Sequence, residues 1–109
     1  YLLDDEFPDE ALPRRSFYCR DCITVAGLLA AFPEKAAGLD VIRVPFKRPR
    51  AEVIAAIGQD NQEAPVLVLG EDAPDDLATG AHDGVRFVNE LRPLLHALHV
   101  RHGFPEQHP

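Results

Sequence analysis

Methionine and tryptophan are absent from this chain of 109 residues, and cysteine occurs only twice. Two cysteines are too few for the bridged framework of a small secreted scaffold. Basic residues are scarce as well: 11 against 18 acidic ones, a formal charge of −7. That balance excludes the basic face a nucleic acid requires and disfavours an anionic lipid surface, so neither nucleic acid nor membrane is expected as a partner. Its plain consequence is solubility. No apolar run approaches the ~20 residues of a membrane-crossing helix. Tyr1-Leu2-Leu3 runs straight into Asp4-Asp5-Glu6, which is not the pattern of a secretion signal. A chain that starts at tyrosine and holds no methionine is expected to have lost its original N-terminus. The cytoplasm is the default location, and residues 1–109 are expected to form a single domain with one modest core.

The two cysteines stand together in Phe17-Tyr18-Cys19-Arg20-Asp21-Cys22, and Ile23 to Phe32 follows as a helical run. Both thiols then fall in a first helical turn, where free backbone N–H groups and the helix dipole stabilise negative charge. The thiolate is the reactive form of cysteine, so this stretch is the candidate catalytic site. Cys22 shares an apolar stripe with Val25, Ala26, Leu29 and Phe32, so it is expected to be the more buried, resolving thiol. Cys19 is the candidate nucleophile. Arg20, with Arg14 and Arg15 from the preceding segment, is a candidate for lowering its pKa, and Asp21 opposes them.

Around that centre the chain reads as alternating elements. Tyr1-Leu2-Leu3 ends a strand, and Asp4 to Ser16, with two prolines, reads as a long loop. A helix is expected from Arg20 to Phe32, stopped at Pro33. Val41 to Val44 is β-branched and reads as a strand. Pro49 fits the first turn of a second helix that ends at Gly58. Val66 to Leu69, bounded by Pro65 and Gly70, reads as a central strand buried on both faces. Glu71 to Gly84 is acidic and reads as a long mobile loop. Val85 to Val88 is the last strand and a candidate edge, Asn89 the candidate cap, and Leu91 or Pro93 to His102 the last helix. The order β-α-β-α-β-β-α, with right-handed crossovers in its middle, predicts an α/β fold: a four-stranded mixed sheet flanked by helices.

That layout, Cys19-x-x-Cys22 at a helix start, Ala64-Pro65 before the third strand and Asn89-Glu90 before the last helix together resemble the thioredoxin superfamily. The chain looks nearest to glutaredoxins and the N-terminal domain of glutathione transferases. It is also similar to small bacterial thioredoxin-like domains of unassigned function, and the resemblance covers nearly the whole chain. It implies a cis-proline at Pro65 facing the cysteines. The backbone of Ala64 would then be open to an extended peptide or to glutathione, with Glu90 across the same groove. It implies a thiol–disulfide oxidoreductase that acts on a protein disulfide or a glutathione-type thiol, with glutathione as co-substrate and no bound cofactor. The dipeptide Arg20-Asp21 lacks the proline common between such cysteines, and Asn89-Glu90 matches the glutathione pattern only in part.

Other readings of the same residues stand beside this one. The cysteines are also compatible, as the lesser reading, with an inherited, unused motif. His96, His99 and His102 recur three apart, and two of them with two cysteines would complete a tetrahedral zinc site. The leucines of that helix claim its inner face, however, so the histidines are expected to point outward and no metal is expected. From a different class comes a protein-binding module, in which the acidic loops and an exposed strand edge do the docking.

Overall fold

The structure, a computed structural model, describes all 109 residues. In chain order run β1 (Leu2–Leu3), β2 (Phe7–Pro8), β3 (Ser16–Phe17), α1 (Arg20–Ala31), α2 (Pro33–Ala36), β4 (Arg43–Val44) and α3 (Ala51–Ile57). Then come β5 (Leu67–Val68), a 3-10 turn at Asp75–Leu77, β6 (Gly80–His82), β7 (Val85–Val88) and α4 (Leu91–His102). The class is mixed α/β, as expected.

The single four-stranded sheet is not formed. β1 pairs with β4 in parallel, β2 with β3 antiparallel, and β5, β7 and β6 make an antiparallel sheet in that order. The strands are too short to make one continuous ladder: Pro45 ends β4 and Pro65 precedes β5, and proline donates no ladder hydrogen bond. One residue pair still joins the β1–β4 sheet to the three-stranded one. The Tyr1 ammonium donates to the Val66 carbonyl (2.8 Å), and the Val66 N–H donates back to Tyr1 O (3.1 Å). Such an exchange is the hydrogen-bonded step of an antiparallel pair.

Four further expectations are corrected. The stretch Asp4 to Ser16 holds the β2–β3 hairpin, anchored by Phe7, which is buried and stacks on Phe46 with ring centres 4.7 Å apart. Glu71 to Gly84 holds the 3-10 turn and β6. The Arg86 guanidinium ties this stretch down by donating to the carbonyls of Ala73 and Gly70 and to Asp75 Oδ1 (2.7 Å). Val85–Val88 lies inside its sheet, with β6 on the edge instead. Val66 and Leu69 are buried while Leu67 and Val68 are half-buried, so β5 is not covered on both faces along its length.

The helices follow their apolar stripes. α1 buries Cys22 and Val25, and α4 buries Leu94, Ala97 and Leu98. Gly103 ends α4 in the left-handed region (φ 73°), where its N–H returns to His99 O at 3.1 Å. Gly58 ends α3 at φ 92°, and a Cβ there would meet the His82 ring at 2.7 Å, so both conformation and space demand glycine. Phe104 then turns back into the core, fully buried and edge-on to Phe32. Phe104→Ala is expected to cost about 3–5 kcal/mol in urea unfolding. The exposed Val100→Ala should stay within about 0.5 kcal/mol of the parent.

Candidate active site at the cysteine pair

Cys19 is the N-cap of α1. Its backbone is extended (φ −79°, ψ 120°), and its Sγ accepts the Cys22 N–H at 3.2 Å. The sulfur thus does what a serine or aspartate oxygen does at other helix starts, and α1 is long enough for its dipole to matter there. Any negative charge on Cys19 therefore faces a backbone donor. Arg20 does not add to this. Its side chain is 92% exposed and pairs with Asp21 at 3.5 Å, so the two charges offset each other. Arg15 stacks over the Phe17 ring instead, with its guanidinium carbon 5.0 Å from the ring centre. Arg14 is exposed in a left-handed turn (φ 65°), and neither residue hydrogen-bonds a cysteine.

Cys22 has a different environment. It is 3% exposed, and its Sγ accepts the Leu3 N–H at 3.4 Å. Burial pushes its pKa up to about 12; the Leu3 N–H pulls the other way, and Cys19 adds to the rise. The pair is unbridged, with Cys19 half-buried. A shallow crevice touches both residues and is walled by Leu3, Asp4, Asp5 and Arg43. Arg43 is committed there: it donates to Leu3 O at 3.1 Å and pairs with Asp5 at 2.8 Å. One sulfur is poised at a helix start and the other is held as a neutral thiol against β1. Cys22 is the more buried of the two, as its place on the apolar stripe suggested.

The remaining candidate residues form a second group. Ala64–Pro65 is a cis peptide. Pro65 is buried and, with Val25, Leu94 and Leu98, lines a small core cavity that Cys19 does not touch. Glu90 is exposed and caps α4 without a side-chain bond. Asn89, the expected cap, is used elsewhere: its side chain bonds Thr79 at 2.8 Å and Glu63 at 3.2 Å. Through Glu63 the structure brings Ala64–Pro65 and Asn89-Glu90 to one end of the molecule. No hydrogen bond joins this group directly to the cysteines. Both groups lie along the same edge of β1, which bonds through Tyr1 to Val66 and through Leu3 to Cys22. Leu3, Glu63 and Thr79 carried no signal in the sequence, because they act through backbone or through partners far along the chain.

The α4 histidines do not meet the cysteines. His99 Nδ1 shares a hydrogen bond with Phe104 O (2.7 Å), and His96 lies beside His99. No three His, Cys, Asp or Glu side chains gather into a metal-binding cluster.

The raised pKa of Cys22 has a stability consequence. Its ordinary value of 9.0 holds in the unfolded chain, so between that pH and about 12 the folded state retains a proton that the unfolded state has lost. The stabilisation is complete below pH 9.0 and is lost as pH rises toward 12. Urea midpoints of the reduced protein should therefore fall across this window. In Cys22→Ala the fall should be shallower, from a lower starting point. Parallel slopes for the two proteins would show that the thiol titrates as an ordinary one.

No curated protein and no solved structure matches this chain. One family model does match, over residues 1–106, nearly the full length. The chain therefore belongs to the family described as "Protein of unknown function (DUF3088)".

Proposed function

We propose that this protein is a thiol–disulfide oxidoreductase of thioredoxin-like fold, with Cys19 as nucleophile and Cys22 as resolving thiol. The observation that carries the reading is the asymmetry of the pair. Cys19 Sγ accepts a helix-start N–H, whereas Cys22 is buried, protonated at neutral pH and held by Leu3. The parallel β1–β4 pair, the antiparallel β5–β7 pair and the Tyr1–Val66 exchange between them support the thioredoxin-like reading of the fold. The docking-module reading has no comparable observation behind it.

In the proposed cycle the Cys19 thiolate attacks one sulfur of a substrate disulfide. A Cys19–substrate disulfide forms, and the other substrate sulfur leaves as a thiolate that takes up a proton. Forming this bond removes the negative charge from Cys19. One cause of the high Cys22 pKa disappears with it, while the Leu3 N–H that favours a thiolate remains. Cys22 then loses its proton to solvent and attacks Cys19 Sγ, releasing the substrate's first sulfur as a thiol. The net result is two electrons transferred to the substrate and a Cys19–Cys22 disulfide, which two molecules of a thiol such as glutathione reduce, leaving as their own disulfide. The substrate is a protein disulfide or a glutathione mixed disulfide, and Ala64, Pro65 and Glu90 are the proposed contacts for its extended backbone. Such a cycle suits the cytoplasm, where a dithiol is kept reduced.

The test is trapping by intact mass. With oxidised glutathione or a peptide disulfide, Cys22→Ser should accumulate a mixed disulfide approaching one per chain. Cys19→Ser should accumulate little, because the remaining thiol is buried and protonated. Equal labelling of the two variants, or none in either, would end this reading.

A further inference from the structure

Away from the cysteine crevice, a cavity of about 460 Å³ lies between the end of β2 and the segment that follows β4. That is ample room for a small organic ligand. Pro8 and Phe46 give it an apolar side, with Phe46 backed by the stacked ring of Phe7. Its charged lining is uneven: Lys47, Arg48 and Arg50 against Asp9 and Glu10. The two acids are already engaged. Glu10 pairs with Lys47 at 3.2 Å, and Asp9 accepts the Ala11 N–H at 3.0 Å. Arg48 and Arg50 have no carboxylate partner.

Arg50 is the unusual member. Its side chain is 6% exposed, and a buried cation normally comes with an acid beside it. Here backbone carbonyls hold it, with its guanidinium carbon 5.7 Å from the centre of the Phe46 ring. Nε and Nη2 donate to Phe46 O and Nη1 donates to Gln62 O (2.7 Å), while its own N–H goes to Gln62 Oε1 (2.9 Å). Three of five guanidinium N–H groups are thereby used, which leaves one on each Nη without an acceptor. The fork is fixed in position, desolvated at the edge of an open cavity, and its charge is unmatched. A charge-assisted bond from such a donor is stronger than one from a solvated side chain.

We propose that this cavity is a binding site for a small oxyanion-bearing ligand, a carboxylate or a phosphate, held by the fixed fork of Arg50 and the exposed side chain of Arg48. Phe46 supplies the apolar wall against which the ligand's carbon skeleton rests. Arg48 lies close enough for its charge to lower the pKa of Arg50, after the larger effect of burial, so one anion can answer both cations. This site is separate from the cysteine reading and stands or falls without it.

Inorganic phosphate and glutarate, each titrated against sodium chloride at matched ionic strength, are the two probes. Binding is read by amide chemical shifts at residues 46–50 and by thermal shift. One probe should saturate in the parent and perturb those amides, and the one that does so identifies the anion class. Arg48→Gln, an exposed change, should leave the unliganded melting temperature unchanged yet weaken the binding about tenfold. Arg50→Lys keeps the charge but loses the fork, and should also weaken it. Cys19→Ser should bind as the parent does, which separates this site from the redox reading. Shifts no larger than those with chloride, or equal affinity in Arg48→Gln, would overturn the proposal.

Discussion

The buried N–H groups of β1 must all find acceptors, and the way they do so organises the molecule. Leu2 and Leu3 are 4% and 5% exposed, and an unpaired amide at that depth costs roughly 1–3 kcal/mol. The amides of Leu2 and Asp4 face β4 and reach Ile42 O and Val44 O at 3.0 and 2.9 Å. Those of Tyr1 and Leu3 face the other way. Tyr1 exchanges bonds with Val66, but the same register would set Leu3 against Ala64, and no backbone bond forms there. The acceptor left for Leu3 is a sulfur, Cys22 Sγ. One thiol thus fixes the rotation of α1 against the strand. Because Cys19 lies three residues earlier, the same contact sets the helix start where Cys19 becomes the cap.

This shared use bears on reversibility. If Cys22 bonds to Cys19, its sulfur must turn away from Leu3, and the amide loses its acceptor. A sulfur acceptor at 3.4 Å is a weak one, so the loss is at the low end of the roughly 1–3 kcal/mol that a buried unpaired amide costs. The core beneath, with Val25, Val44 and Leu98 nearly or fully buried, does not depend on it. Both oxidation states are therefore open to the same fold. A stronger acceptor such as a carboxylate at this position would lock the helix and leave no second thiol.

Helix α1, its start at Arg20, the end of α4 at Gly103 and the cis bond at Pro65 were all legible in the sequence. Helical periodicity, end signals and a resemblance covering nearly the whole chain each pointed the same way. The greater burial of Cys22 followed from its place on the apolar stripe. What was not legible depended on partners distant in the chain. Arg86 reads as one surface charge in a strand, yet it orders the stretch from Gly70 to Asp75. Asn89 has the chemistry of a cap, but Thr79 and Glu63 compete for its amide and win. The hairpin around Phe7 was hidden because two prolines and five acids outweighed a single aromatic whose stacking partner lies far along the chain. A sheet broken into short ladders is likewise invisible to periodicity, which registers apolar runs but not where hydrogen bonding stops.

Charge is distributed differently at the two cavities. The chain is acidic overall, and a net −7 repels anionic ligands at long range, though salt confines that field to about 8 Å at physiological ionic strength. At the cysteine crevice the local charges nearly cancel, since Arg43 answers Asp5 and Arg20 answers Asp21. Those pairs leave the helix start, rather than a neighbouring side chain, as the main stabiliser of a Cys19 thiolate. The unmatched positive charge sits instead at Arg48 and Arg50. Cys22 keeps its proton at neutral pH, so it offers the guanidinium no counter-charge. An anion seated against Arg50 would therefore answer a charge that the cysteine pair leaves unmet.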